Sequence, residues 1–445
     1  MPDTETFRCL IMGAAGRDFH DFQAFFRDRP QFHVCAFTAT QIPFIESRMF
    51  PRSLAGPHYP CDIPIFPESQ LSDLIRKFEI DFVFLAYSDL SHADVMHIAS
   101  RVQAEGASFV LLGPHQTELT SRRRVVSVTA VRTGAGKSPL SQWLARQLTD
   151  TGWRVGILRH PMPYGDLARQ AVQRIASEHD LQRFDCTIEE REEYEPYLEA
   201  GLVVFAGVNY REILAQAEDE AEVILWDGGN NDFSFVRPDV SIVVVDALRP
   251  GHEVSFYPGE TNLRRADIVV INKVGSAAPA AVGAVRDTIQ MCNSRASVIE
   301  ADLDVAADRP DAIFGRRVLV VEDGPTLTHG GMGYGAGTLA AQRYGAAEII
   351  DPRPHAVGSV ADAYHQFPHL HAVLPALGYS ADQRSDLART IESSGADVVV
   401  DASPCRLDRV LDLRTPIVRV SYRFRQVTGP PLMGLVSAIL GPPRS

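Results

Sequence analysis

Several features that would classify a chain quickly are missing here. The six cysteines, Cys9, Cys35, Cys61, Cys186, Cys292 and Cys405, are scattered and form no CxxC pair. That spacing argues against a zinc site or a redox dithiol and reads as packing thiols in a reducing compartment. No run of about 18 apolar residues occurs, and the opening Met1-Pro-Asp-Thr-Glu-Thr is acidic rather than basic. Neither a membrane span nor a secretory leader is expected, and the reading is cytoplasmic. Positive charge is short as well: 43 Lys and Arg face 56 Asp and Glu, a net charge of −13. Nucleic acid is therefore not an expected partner. The one basic cluster, Arg122-Arg123-Arg124, precedes a strand and reads mainly as a solvated linker. Heptads, internal repeats and low-complexity tracts are also absent.

What remains is ordinary core material in quantity: 445 residues, 45% hydrophobic and 22% charged, enough for two or three domains. Short β-branched runs alternate with helical patterns throughout, the mark of parallel α/β sheets. The expected fold is a central P-loop domain (124–301) flanked by Rossmann-like α/β units at 1–123 and 316–445. The polar stretch from Ala301 to Asp311 reads as an irregular crossing between the last two. In the first unit, Gly13-Ala-Ala-Gly16 follows a strand, but position 11 is Ile and no acidic residue ends the second strand. The dinucleotide fingerprint is thus incomplete, and packing or partner binding is the better reading. The segment Gln41–Pro67 is long for a loop in a compact domain.

Chemistry concentrates after the strand that begins at Val125. It runs into Arg132-Thr133-Gly134-Ala135-Gly136-Lys137-Ser138 and then a helix over Pro139–Thr149. Glycines let backbone N–H groups face phosphate oxygens, Lys137 reaches the β/γ-phosphates, and the Ser138 hydroxyl completes a magnesium shell. The first glycine of the usual loop is missing, since position 131 is Val. The run is instead similar to the deviant loop of the dimeric P-loop ATPases, with Arg132 in place of their extra lysine and able to reach a phosphate. Those ATPases pair across their nucleotides, so a homodimer is an expectation. Asp227 ends the apolar strand Glu222–Asp227 and is expected to order the metal. Asn272 and Lys273 can frame a base, but Gly275 stands where a guanine-reading Asp would be. ATP with magnesium is therefore favoured over GTP.

Three further loops stand at strand ends, where open α/β sheets build their sites. They carry Arg159, His160, Tyr164 and Asp166, then Arg249 and His252, then Glu322-Asp-Gly-Pro-Thr-Leu-Thr-His329-Gly-Gly. Arginines and histidines of this kind suit an anionic substrate. Glycines at 324, 330, 331, 333, 335 and 337 suggest a second backbone cradle or a lid.

Taken as strings, V-R-T-G-A-G-K-S, R-H-P-M-P-Y-G-D-L, D-A-L-R-P-G-H-E, V-I-N-K and E-D-G-P-T-L-T-H-G-G resemble one family, cyclic 2,3-diphosphoglycerate synthetase and its relatives. The resemblance implies an ATP-dependent ligase closing an intramolecular phosphoanhydride in 2,3-diphosphoglycerate, with release of ADP and phosphate. By carry-over, Lys137, Asp166, His160, Arg249 and His252 would be catalytic, and Arg159, Tyr164 and His329 would contact the substrate. Arg132 through Ser138 with Asn272 and Lys273 would bind nucleotide, and Ser138 with Asp227 would hold the metal. The alternative is a regulatory or chaperone-type P-loop GTPase switch.

Overall fold

A computed structural model describes residues 6–443 apart from 15, 41–47, 161–165, 229–231, 323–326, 328–332, 371, 378–379 and 404–405. Residues 7–110 build a six-stranded sheet in the order Met49–Phe50, Ile63–Pro67, Phe32–Ala39, Phe7–Met12, Phe82–Leu85, Ser108–Val110. Only its edge pair, Met49–Phe50 with Ile63–Pro67, is antiparallel. Much of the 41–67 segment is therefore ordered as two strands and the short helix Arg52–Ala55.

The second sheet has thirteen strands. The half that contains the P-loop strand runs Val203–Ala206, Val155–Arg159, Val223–Asp227, Arg124–Ala130, Val240–Asp246, Ile268–Asn272, all parallel. These strands read as continuous Val and Ile runs because helices cover both faces, so almost every position is buried. Parallel strands aim their C-terminal ends at one rim. Arg159, Asp227, Asp246 and Asn272 all end their strands there.

The irregular crossing expected over 301–311 is corrected. Ser297–Ala307 is an eleven-residue strand, paired in parallel with Ile268–Asn272 on one side. On the other it pairs antiparallel with Ile417–Thr428, from Glu300↔Thr428 to Ala307↔Val420. The polar residues Asp302 and Asp304 alternate with Ala301, Leu303 and Val305, the period-two pattern of a half-buried strand. The sheet then continues through Val398–Ala402 and Arg317–Glu322. Central and C-terminal segments thus share one hydrogen-bonded sheet. Among the described residues no helix is long and apolar enough to cross a membrane.

Candidate nucleotide and acceptor site

The P-loop turns between the strand Arg124–Ala130 and the helix Lys137–Asp150. The helix starts two residues earlier than its apolar pattern suggests. Gly136 at φ +102° makes the turn, so Lys137 and Ser138 fall in its first turn. A Cβ on Gly136 would lie inside the van der Waals envelope of Asn272 Nδ2 and 3.4 Å from its Cγ.

Asp227 is wholly buried and takes four donors. Lys137 Nζ lies 2.9 Å and Ser141 Oγ 2.8 Å from Oδ1, while Arg159 and the Tyr197 hydroxyl meet Oδ2. Arg159 also pairs with Glu193. Burial alone would raise the Asp227 pKa, but Arg159 and Lys137 outweigh it and hold the carboxyl well below its usual range. Burial pushes Lys137 down to about 8, with Asp227 opposing. At pH 8 about half of this lysine is neutral, and a bound phosphate would favour the charged form. Nucleoside triphosphate binding at pH 8 should therefore take up about half a proton. Calorimetry in buffers of different ionisation heat reads that number, and uptake persisting in Lys137→Arg would assign the proton elsewhere.

Ser138 and Asp227 line the same cleft. Magnesium bound through phosphate oxygens and water needs only one or two protein oxygens, so the pair fits, provided Asp227 exchanges a protein donor for the cation. No group of three or more His, Cys, Asp or Glu residues among those described could hold a metal by itself.

Other expected residues are engaged by neighbours within the protein. Arg132, expected on a phosphate, lies over the Phe256 ring at 3.7 Å. Its Nε is 3.1 Å from Asp89 Oδ1, and Nη1 is 3.3 Å from His252 Nδ1. A planar guanidinium with a ring face and a carboxylate to hand is held there. Asn272 and Lys273, expected at a base, grip the loop itself: Asn272 Nδ2 donates to the Ala135 carbonyl (2.8 Å) and Lys273 Nζ to that of Gly134 (2.6 Å). Lys273 and Arg249 also share Asp246 Oδ2, at 2.8 and 2.9 Å, and Arg249 donates to the Thr133 carbonyl. Arg249 thus braces the loop. Asp166 is exposed and caps a turn through the N–H groups of Ala168 and Arg169. His160 is buried against Asp232, its Nε2 2.5 Å from Oδ2. His252 is lowered by burial and by Arg132 and Arg249. Tyr164 and His329 lie outside the described residues.

A cleft of about 390 Å³ joins the P-loop to the Ile417–Thr428 strand and to the start of the helix Ala336–Arg343. Gly335 and Gly337 do form a cradle, but its occupant is Glu322, which accepts their N–H groups at 2.9 and 3.1 Å. Another carboxylate occupies the place of the one missing at position 275. A Cβ on Gly275 would come 3.2 Å from the Asp302 Cγ, so Asp302 fills that space from the neighbouring strand.

The arginine synthetase ArcE of Thermococcus kodakarensis is 55% identical over 432 residues, 97% of this chain and 96% of that protein. The chain belongs to its family. The resemblance to the relatives of cyclic 2,3-diphosphoglycerate synthetase is borne out at that level. The family model for tetraacyldisaccharide-1-P 4'-kinase (LpxK) matches residues 113–321, which span the P-loop. A tetraacyldisaccharide 4'-kinase of Dechloromonas aromatica is 33% identical over 150 residues, 31% of this chain and 41% of its own. Among solved structures, LpxK of Aquifex aeolicus aligns with 83% of this chain and 99% of its own, at 12% identity and a TM-score of 0.45. Family and kinase model together make the chain an enzyme of the ATP-dependent synthetase or kinase type.

Proposed function

We propose that the chain is an ATP-dependent synthetase that completes the guanidinium group of arginine. The observation that carries this is the 55% identity, across nearly the whole of both chains, to a protein named arginine synthetase. The reaction class follows from the product. A guanidinium with an unsubstituted nitrogen is reached from a ureido amino acid, citrulline, when nitrogen replaces the ureido oxygen. That oxygen is a poor leaving group until it is phosphorylated. It attacks the γ-phosphorus of ATP, the β,γ-bridging P–O bond breaks, and ADP leaves. Ammonia then adds to the carbon, the C–O bond breaks, phosphate leaves, and the added nitrogen gives up its proton to solvent.

No protein nucleophile is needed. Positioning and charge neutralisation suffice. Lys137 and the loop N–H groups would hold the transferred phosphoryl, and magnesium at Ser138 and Asp227 would offset its charge. The same two-step logic serves 2,3-diphosphoglycerate, the acceptor implied by the motif strings, where a second phosphate replaces ammonia. The test supplies Mg·ATP or Mg·GTP with citrulline and ammonium, or with 2,3-diphosphoglycerate, and follows ADP or GDP, arginine and cyclic anhydride. Arginine and ADP in equal amounts, absent from Lys137→Ala, are expected. Anhydride without arginine would replace the acceptor, and slow GTP hydrolysis indifferent to both would replace the enzyme by a switch.

A further inference from the structure

Away from the nucleotide cleft, the rim of the molecule buries a second set of charged groups whose bonds are incomplete. Arg17 opens the short helix Arg17–Asp21, while His160 and Asp232 follow the strands Val155–Arg159 and Val223–Asp227. All three are at least nine-tenths buried. Arg17 lies 4.5 Å over the Phe233 ring, donates to the Tyr257 hydroxyl at 3.0 Å, and has Asp21 at 3.6 Å. Yet Arg17 Nη1 and Asp232 Oδ1 have no hydrogen-bond partner, and they stand 4.0 Å apart, too far to serve each other. Both ring nitrogens of His160 are also without one, although Nε2 stands 2.5 Å from Asp232 Oδ2. Leaving one such atom buried and unmet is costly, more so when it is charged. Four such atoms, on three side chains that follow strands of two sheets, are what a bound ligand would complete.

The arrangement specifies the ligand's chemistry. A guanidinium offers donors to a carboxylate in a fixed fork. Asp232 and Asp21 offer acceptors to an ammonium group. Asp21 is pushed up to about 7 by burial, Arg17 opposing, as expected of a carboxylate still short of positive charge. The location is equally specific. His160 follows Arg159, which binds Asp227 in the nucleotide cleft, and Asp232 stands five residues after Asp227. A small molecule held here by one end would sit beside the phosphoryl-transfer residues.

We propose that Arg17, Asp232 and His160 seat the α-carboxylate and α-ammonium groups of the amino-acid substrate, an assignment that rests on the arginine-forming reading. Arg17 takes the carboxylate, and Asp232, oriented by His160, takes the ammonium. The ureido end is left to reach the γ-phosphate.

The experiment compares citrulline with two truncated analogues under Mg·ATP and ammonium. N-carbamoylputrescine lacks the α-carboxylate, and 5-ureidopentanoate lacks the α-amino group. Wild-type enzyme should prefer citrulline over each by about 100-fold in kcat/KM, the scale of a polar group built into a site. Arg17→Gln should erase the preference over N-carbamoylputrescine, and Arg17→Lys should restore part of it. Asp232→Asn should erase the preference over 5-ureidopentanoate. The losses should appear in the KM for citrulline, with the KM for ATP reporting an intact fold. If the enzyme makes arginine but Arg17→Gln weakens citrulline and N-carbamoylputrescine equally, or neither, this assignment fails and the synthetase reading stands. If citrulline is not a substrate at all, both fail together.

Discussion

Asp227→Asn is expected to abolish product formation, lowering kcat by about 10³-fold or more, and to destabilise the protein by about 3–5 kcal/mol. One carboxylate of no exposure neutralises two cations that are themselves nearly buried, Lys137 and Arg159. The amide keeps the shape and removes the charge, so both cations stay in low dielectric with only Glu193 beside Arg159. The loss should depend on pH in a defined direction. The folded-state pKa of Asp227 is depressed, so its contribution is complete above the unfolded value near 4 and is lost as pH falls toward the folded value. Urea titrations of wild type and variant should therefore begin to converge as pH falls below about 4. A variant as stable as wild type at neutral pH would show that the cations find other partners.

Gly136→Ala should weaken nucleotide binding by about 100-fold or more. Two penalties coincide. The backbone at φ +102° is one that residues with a Cβ resist, and the added carbon meets the Asn272 amide. Asn272 has little room to yield because the same amide holds the Ala135 carbonyl at 2.8 Å. Calorimetry with a non-hydrolysable triphosphate measures the effect. Adding Asn272→Ala relieves the collision but not the dihedral, so the double variant should recover only part of the affinity. Affinity within threefold of wild type in the single variant would show that the loop re-forms elsewhere.

Much of this site could be read along the chain because its chemistry is local. A strand, a glycine turn and a lysine occupy fourteen consecutive residues, and Asp227 ends an apolar run followed by glycine. What escaped the reading depends on contacts distant in sequence. Glu193 and Tyr197 lie four apart on the helix Ile188–Glu199, whose acidic composition resembles a solvated face. Only the fold turns them toward Arg159 and Asp227. Asp89, 43 residues before Arg132, holds that arginine at 3.1 Å. Asp302 reads as part of a crossing because its strand is half polar, and its proximity to Gly275 is a matter of register between two strands. Arg17 gave no signal at all, since the incomplete glycine fingerprint before it pointed away from ligand binding.

The strand Ser297–Ala307 also sets the order in which this enzyme can become complete. The whole P-loop and the residues that brace it, through Lys273, leave the ribosome before the partner strand Ile417–Thr428 exists. Until then the nucleotide half has a raw border of unmade hydrogen bonds. It also has an uncovered apolar surface where Phe424, Leu432, Val436 and Leu440 later join Leu140 and Leu144 of the P-loop helix. Such a border attracts other unfinished chains. Pausing or premature termination within the intervening hundred or so residues would thus leave a nascent enzyme with its P-loop already made, yet sticky and dependent on chaperones until the later strand is threaded alongside.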